Sequence, residues 1–304
     1  MKNRQNSANI NWYPGHMVKA KRQIIEDLKL IDIVIEILDA RLPLASQNPD
    51  LQQIIGNKTK IIILNKSDLA DEIQTNRWIK YFEKRGFCTI EFNSTNEKGI
   101  DKILKTIQDT YEMKVKETKS NKIRVGKIIR VMIVGIPNVG KSSFINRLSK
   151  KSSAKVGNKP GVTITKQWIR LTNNIELLDT PGILWPKLSD KNSAQKLAYV
   201  GTIKDEIMDK VELTYELIKY MIENDYLWKL LGRYKIDDVK INNILRSDNL
   251  EENEKIVDIM KEIGKRRGAI ISGGNVDLEK VANIVLEEFR SGKIGKFSLE
   301  KVNE

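Results

Sequence analysis

One octapeptide constrains the fold more than any other stretch. Gly135-Ile136-Pro137-Asn138-Val139-Gly140-Lys141-Ser142 fits G-x-x-x-x-G-K-[ST], the phosphate-cradling loop. Ile128 to Val134 reads as a buried strand before it, and Ser143 to Lys150 as a helix after it. That strand–loop–helix order is what the motif requires. Its glycines let the backbone curl round an anion with the N–H groups inward, and the helix N-terminus adds positive potential. The candidate phosphate-binding residues are Asn138, Val139, Gly140, Lys141, Ser142 and Ser143. Lys141 would reach the β- and γ-phosphates, and the Ser142 hydroxyl would bind Mg²⁺. The plainer reading, a glycine turn before an ordinary helix, is disfavoured by the strand and helix on either side.

A second motif lies 70 residues upstream. The segment Ile31 to Leu38 predicts a strand ending at Asp39-Ala40-Arg41, and Lys60 to Leu64 a strand ending at Asn65-Lys66-Ser67-Asp68. N-K-x-D at the carboxyl end of a strand suits guanine selection. Asp68 can accept from both N1–H and the 2-amino group, a charge-assisted pair that adenine cannot offer. Asn65 can bond the base edge and tie its loop to the phosphate loop, while the Lys66 stem lies along the purine face. Alone this match is weak, because Asn and Asp are common turn residues; beside a phosphate loop it is strong. Asn93-Ser94-Thr95 follows a further strand, Phe87 to Phe92, and could aim backbone N–H groups at the guanine oxygen.

Downstream, a Ser- and Lys-rich loop ends in Lys159-Pro160-Gly161-Val162-Thr163. Thr163 could bind Mg²⁺ and sense the γ-phosphate, and Thr165 competes for that role. Gln167 to Leu171 and Ile175 to Leu178 read as a hairpin. The second strand runs into Asp179-Thr180-Pro181-Gly182, a D-x-x-G in which Asp179 would hold Mg²⁺ through water and the Gly182 N–H would touch the γ-phosphate.

The motif order is rotated. An ordinary GTPase has its phosphate loop first and its guanine motif last; here Asn65 precedes Gly135. A doubly wound α/β sheet tolerates this, because ligand loops gather at the strands' carboxyl ends whichever strand comes first. The charged stretch 114–127 would be the linker joining the old termini. Residues 1–187 are therefore expected to form a circularly permuted GTPase domain. Residues 188–304 show helical spacing almost throughout, with candidate helices over Asn192 to Val200, Glu206 to Asn224, Asp237 to Arg246, Glu251 to Arg267 and Asp277 to Ser291, and no chemical motif, so an all-helical second domain follows.

Composition bounds the partners. The net charge of +13 favours a polyanion. Residues 1–186 hold 32 Lys/Arg against 18 Asp/Glu, and residues 187–304 hold 21 against 22, so the excess sits with the phosphate loop. Contacts from the helical part must come from local patches, such as Lys265-Arg266-Arg267 and Arg290 to Lys296. The one cysteine, Cys88, excludes an internal disulfide framework, suits a reducing cytosol and reads as a small core residue. No apolar run is long enough to span a bilayer, and residues 1–11 lack a secretory signal.

The motifs together identify the chain as resembling the circularly permuted GTPases of the ribosome biogenesis GTPase A family, nearly end to end. The resemblance rests on Trp12-Tyr13-Pro14-Gly15-His16-Met17, Asp39-Ala40-Arg41-Leu42-Pro43 and Asn65-Lys66-Ser67-Asp68, then Gly135 to Ser142, Lys159 to Thr163 and Leu178 to Pro186. It continues in Arg267-Gly268, Gly273-Gly274, Asp277 and Phe289 to Gly295. It implies GTP hydrolysis coupled to a late step of large ribosomal subunit assembly by a cytoplasmic, monomeric protein. The partner implied is ribosomal RNA, held by the helical domain, with no DNA or membrane. Ile183 stands where many GTPases place a water-orienting glutamine. The resemblance assigns the missing function to His16 and a K⁺ ion to Asn138. The competing readings are a GTP-gated switch on a protein partner, and an ATPase in which Asp68 is idle.

Overall fold

The computed structural model describes residues 15–95, 99–117, 127–151, 168–178, 190–203 and 209–302. The chain divides into two compact units, residues 1–191 with 297–304, and residues 192–296. The first boundary falls at 191/192, and the chain's last residues group with the first unit rather than with the helices before them.

The first unit is a six-stranded sheet with the order β3-β2-β1-β4-β6-β5. Its strands are β1 (Ile33–Asp39), β2 (Lys60–Asn65), β3 (Cys88–Glu91), β4 (Ile129–Val134), β5 (Trp168–Arg170) and β6 (Ile175–Leu178). All neighbours pair parallel except β5, which lies at the sheet's edge and runs antiparallel to β6 as the expected hairpin. β1 and β2 are buried along their whole length, as runs of Ile, Val and Leu covered on both faces must be. Helices α1 (Gly15–Asp27), α2 (Pro49–Ile55), α3 (Glu72–Glu83), α4 (Ile100–Glu117) and α5 (Lys141–Lys151) alternate with the strands. Asn48 and Asp71 cap α2 and α3 by accepting backbone N–H bonds, and Pro49 opens α2 where no N–H is needed. One core packs Ile24, Leu28 and Leu51 against Val34 and Met132, and another packs Trp78 and Phe82 against Leu38, Ile62 and Leu64.

Topology fixes where a ligand binds. From β1 the chain steps outward to β2 and β3, then crosses back so that β4 lies on the other side of β1. The crevice beyond the carboxyl ends of β1 and β4 is thus the switch point of a doubly wound sheet.

Three local expectations change. Cys88 is exposed, because it opens the edge strand β3 rather than lying in the core. Helix α4 continues through Lys114 to Glu117, inside the stretch expected to be linker, and Lys114 Nζ donates to Asp32 O. The second unit has a helix that periodicity missed, Leu227–Tyr234.

Among its described residues that unit comprises α6 (Lys191–Tyr199, its first residue counted with the first unit), α7 (Lys210–Glu223), α8 (Leu227–Tyr234), α9 (Asp238–Leu245), α10 (Glu252–Arg267) and α11 (Leu278–Arg290). Helix α11 packs on α7 and α10. Glu251 and Glu254 form a capping box on α10, and Gly268, at φ +64°, closes it. Glu288 accepts from Arg233 at 2.7 and 2.9 Å and from Arg267 at 2.9 and 3.0 Å. Arg290 donates to the Ala198 and Tyr199 carbonyls. Two members of the expected basic patches therefore hold the helices together. Arg266, Lys293 and Lys296 remain exposed.

Candidate nucleotide site

The phosphate loop leaves β4 beside β1, and its glycines answer to close approach. A Cβ on Gly135, at φ +153°, would lie 2.7 Å from the Ile37 carbonyl oxygen. On Gly140, at φ +99°, it would run into Asn65 Nδ2. Asn138 at the loop's tip has φ +60°, a left-handed conformation that Asn adopts more readily than most residues. Val139 is buried and props the turn from beneath. The Lys141 stem is buried, and its Nζ donates to Gly135 O at 3.1 Å and Ile136 O at 2.8 Å, so the ammonium lies across the loop it serves. Ser142 and Ser143 stand exposed in the first turn of α5.

The second motif arrives from β2 in direct contact with the first. Asn65 is 1% exposed; its Nδ2 donates to Val139 O at 2.8 Å, and its Oδ1 accepts from Ser94 Oγ at 2.8 Å. One side chain thus joins three loops. Lys66 turns the chain at φ +58°, and its Nζ donates to Asn138 O at 2.7 Å. Ser67 and Asp68 open a 3-10 turn over Ser67–Leu69, both half-buried. The Ser67 N–H donates to Phe92 O at 3.2 Å, so the loop after β3 runs alongside. In that loop Asn93 Oδ1 accepts from the Thr95 N–H and hydroxyl, which folds the loop into a tight turn.

Two residues that carried no assigned role hold this arrangement. Asp39, opposite Asn65 in the β1–β2 register, is buried; Arg41 forks onto its carboxylate at 2.8 and 2.9 Å, and Lys66 Nζ lies 3.1 Å away. Burial pushes the Asp39 carboxyl up, yet the Arg41 and Lys66 charges outweigh it and hold the group well below the usual carboxylate range. Arg147 of α5 donates to Ser94 O at 3.1 Å and Thr95 O at 2.9 Å, fastening the third loop to the phosphate-loop helix. Asp39 had a sequence signal, an acid at the carboxyl end of a strand. Arg147 had none.

The described residues thus bring Asn65, Lys66, Ser94, Asn138 and Val139 into one hydrogen-bonded group, with Lys141 on the same loop as Asn138. His16 falls in the first turn of α1, and its side chain lies outside the described part. Thr163, Thr165, Asp179, Gly182 and Ile183 also lie outside the described residues. Among the described residues no group of three or more His, Cys, Asp or Glu is placed to hold a metal, and no helix is long and apolar enough to cross a membrane.

A family of 50S ribosome-binding GTPases matches residues 130–261. That match begins at β4, and the guanine motif lies before it, as a rotated order requires. Ribosome biogenesis GTPase A of Bacillus cereus is 42% identical over 97% of this chain and 95% of its own length. Among solved structures, a GDP-bound YlqF is 27% identical over 93% of this chain and 100% of its own, with a TM-score of 0.61. A GNP-bound YlqF from T. maritima is 28% identical over 93% and 98%, with a TM-score of 0.59. Identity of this degree along almost the whole length, on a rotated phosphate-loop sheet, shows that the chain belongs to the ribosome biogenesis GTPase A family and is a GTPase of ribosome biogenesis.

Proposed function

We propose that GTP binds at the switch point with its guanine against Asp68 and its triphosphate in the loop from Gly135 to Ser142, and that its hydrolysis gates a late step of large ribosomal subunit assembly. The observation carrying the site is the pair of bonds from Asn65 to Val139 O and from Lys66 to Asn138 O, which lock the base-reading and phosphate loops in one register. Asp68 accepts from the base edge, Lys66 flanks the purine, and Asn93, Ser94 and Thr95 line the guanine oxygen. Val139, Gly140, Lys141, Ser142 and Ser143 surround the phosphates with N–H donors and one ammonium.

Mg²⁺ fits this donor set as an ion carried by phosphate oxygens: the exposed Ser142 hydroxyl is a hard ligand, and no described carboxylate cage competes. Thr163 and, through water, Asp179 would also hold it, and a bound Mg²⁺ would supply charge neutralisation at the phosphates. Asn138, exposed at the loop's tip, offers an amide oxygen to K⁺; equal turnover in KCl and NaCl at fixed ionic strength would remove that ion from the scheme. His16 orients the water that attacks the γ-phosphorus as the bond to the bridging oxygen breaks, leaving GDP and phosphate. His16→Ala should spare GTP affinity and abolish ribosome-stimulated turnover; stimulated turnover that survives the change excludes His16.

Large-subunit binding is supported by the match to a family of 50S ribosome-binding GTPases, and RNA contact by exposed Arg266, Lys293 and Lys296 on the helical unit. In this reading the protein acts as a monomer. Co-sedimentation with large-subunit particles tests it. Association should be stronger with a non-hydrolysable GTP analogue than with GDP and should weaken as salt rises. Equal association with both nucleotides, or none, defeats the assembly reading.

A further inference from the structure

The last residues of the chain do more than fill space on the first unit. Phe297, Ser298 and Leu299 are each at most 2% exposed, and the apolar side chains alone would account for a packed tail. The polar contacts fall elsewhere, on two turns. On the turn after β2, the Phe297 N–H donates to Leu69 O at 2.9 Å and Ser298 Oγ accepts from the Asp71 N–H at 3.3 Å. Those partners lie one and three residues after Asp68. On the turn after β1, the Leu299 N–H donates to Arg41 O at 2.7 Å. There the Glu300 carboxylate accepts from the Leu44 and Ala45 N–H groups at 2.7 and 2.9 Å. Trp78 Nε1 donates to Glu300 O at 3.2 Å, pinning the segment to α3.

We propose that residues 297–300 are a strap that positions the base-reading loop, so that nucleobase discrimination by this GTPase depends on its carboxyl-terminal residues. The chain of contacts is continuous. The strap holds Arg41 by its carbonyl; Arg41 holds Asp39; Asp39 holds Lys66; and Lys66 reaches the phosphate loop at Asn138. On the other side the strap holds Leu69, the last residue of the 3-10 turn carrying Asp68, and Asp71, which caps the helix that follows. A bidentate contact tolerates little misalignment, so a loop freed from the strap loses the bond to the 2-amino group before it loses the phosphates. Glu300 is a positioning residue here, since it touches neither base nor phosphate.

This inference rests on Asp68 reading the base, and the experiment separates the two. The readout is the ratio of GDP to IDP affinity, because inosine lacks only the 2-amino group. Glu300→Ala in the full chain should narrow the GDP preference by about tenfold, the factor that one charge-assisted hydrogen bond supplies. It should also speed GDP release while Mg²⁺-dependent pyrophosphate competition stays unchanged. A chain ending at Lys296 should do the same more strongly; if it does not fold, Glu300→Ala carries the test. A Glu300→Ala protein that melts earlier but keeps the wild-type GDP-to-IDP ratio overturns the strap. Asp68→Asn tests the reading beneath it: a switch to xanthosine nucleotides is expected, and its absence removes Asp68 itself whatever the strap variants do.

Discussion

Replacing Asn65 isolates the joint between the two halves of the site. Its amide makes two bonds, to Val139 O and from Ser94 Oγ, both at 2.8 Å. Each neutral bond of this kind contributes about 1 kcal/mol net, and a polar group left unmet in a dry place costs about 1–3 kcal/mol. The two ends differ. Ser94 is half-buried, so water can replace its partner, whereas Val139 is fully buried. The Val139 bond therefore dominates, and Asn65→Ala should cost about 2–4 kcal/mol of stability. Asn65→Asp tests that apportionment. Its carboxylate keeps the volume and still accepts from Ser94, but it turns lone pairs toward the Val139 carbonyl. It should be at least as damaging as alanine. Urea unfolding gives the stability, and titration with fluorescent GDP gives the affinity, expected to fall at least about tenfold as the two loops lose register. An Asn65→Asp protein within about 0.5 kcal/mol of wild type, the range of an indifferent surface change, with unaltered GDP affinity, would refute the reasoning.

Two further perturbations address charge. Asp39→Asn strands the Arg41 guanidinium, itself 2% exposed, and should cost about 3–5 kcal/mol in the first unit. Because Arg41 and Lys66 hold the Asp39 carboxyl below its unfolded value, its contribution is complete above the ordinary carboxylate pKa and is lost as pH falls below about 4. Wild type should weaken more steeply than Asp39→Asn across that range, and parallel acid profiles would count against the buried pair. In the helical unit, the Arg233 hydrogen bond, with the Arg267 and Arg233 charges, holds Glu288 below the usual range against some burial, so its contribution also fades with acid. Glu288→Gln should cost about 1–2 kcal/mol, at the low end for charge-assisted bonds because both arginines are about one-third exposed. Hydrogen exchange in α10 and α11 reads the loss, and unchanged protection there would show the trio to be ornamental.

What could be read from the sequence, and what could not, divides by range. Each nucleotide motif follows a strand, and a strand announces itself by a local run of Ile, Val and Leu. The rotated order of the motifs was therefore visible without the fold, as was the hairpin around residues 172–174. Helix α8 escaped because it is eight residues long with Gly232 inside it, too short for its apolar spacing at Leu227, Leu230, Leu231 and Tyr234 to stand out. Cys88 misled because an apolar neighbourhood does not say which strand is the edge. Beyond the tie through Asn65, the joints left no local pattern: Lys66 meets Asn138 across 72 positions, Arg147 meets Ser94 across 53, and Glu300 meets Leu44 across 256.

That division bears on what rotation does to such a protein. The switch point belongs to the sheet, since β2, β1 and β4 lie side by side wherever the chain begins, so the base loop after β2 and the phosphate loop after β4 meet at one end of it regardless of motif order. What the order decides is which segments are left to brace those loops from outside. Here the turns after β1 and β2, the earliest in the sheet, are braced by the final residues of the chain, which arrive only after the whole helical unit has been traversed. Loop closure over that distance is cheap in free energy but slow to be found. The base-reading loop should therefore be the last part of the nucleotide site to become ordered when the protein folds. GDP-binding competence should lag behind formation of the sheet, read by far-ultraviolet circular dichroism in refolding, and simultaneous recovery of the two signals would contradict this order of events.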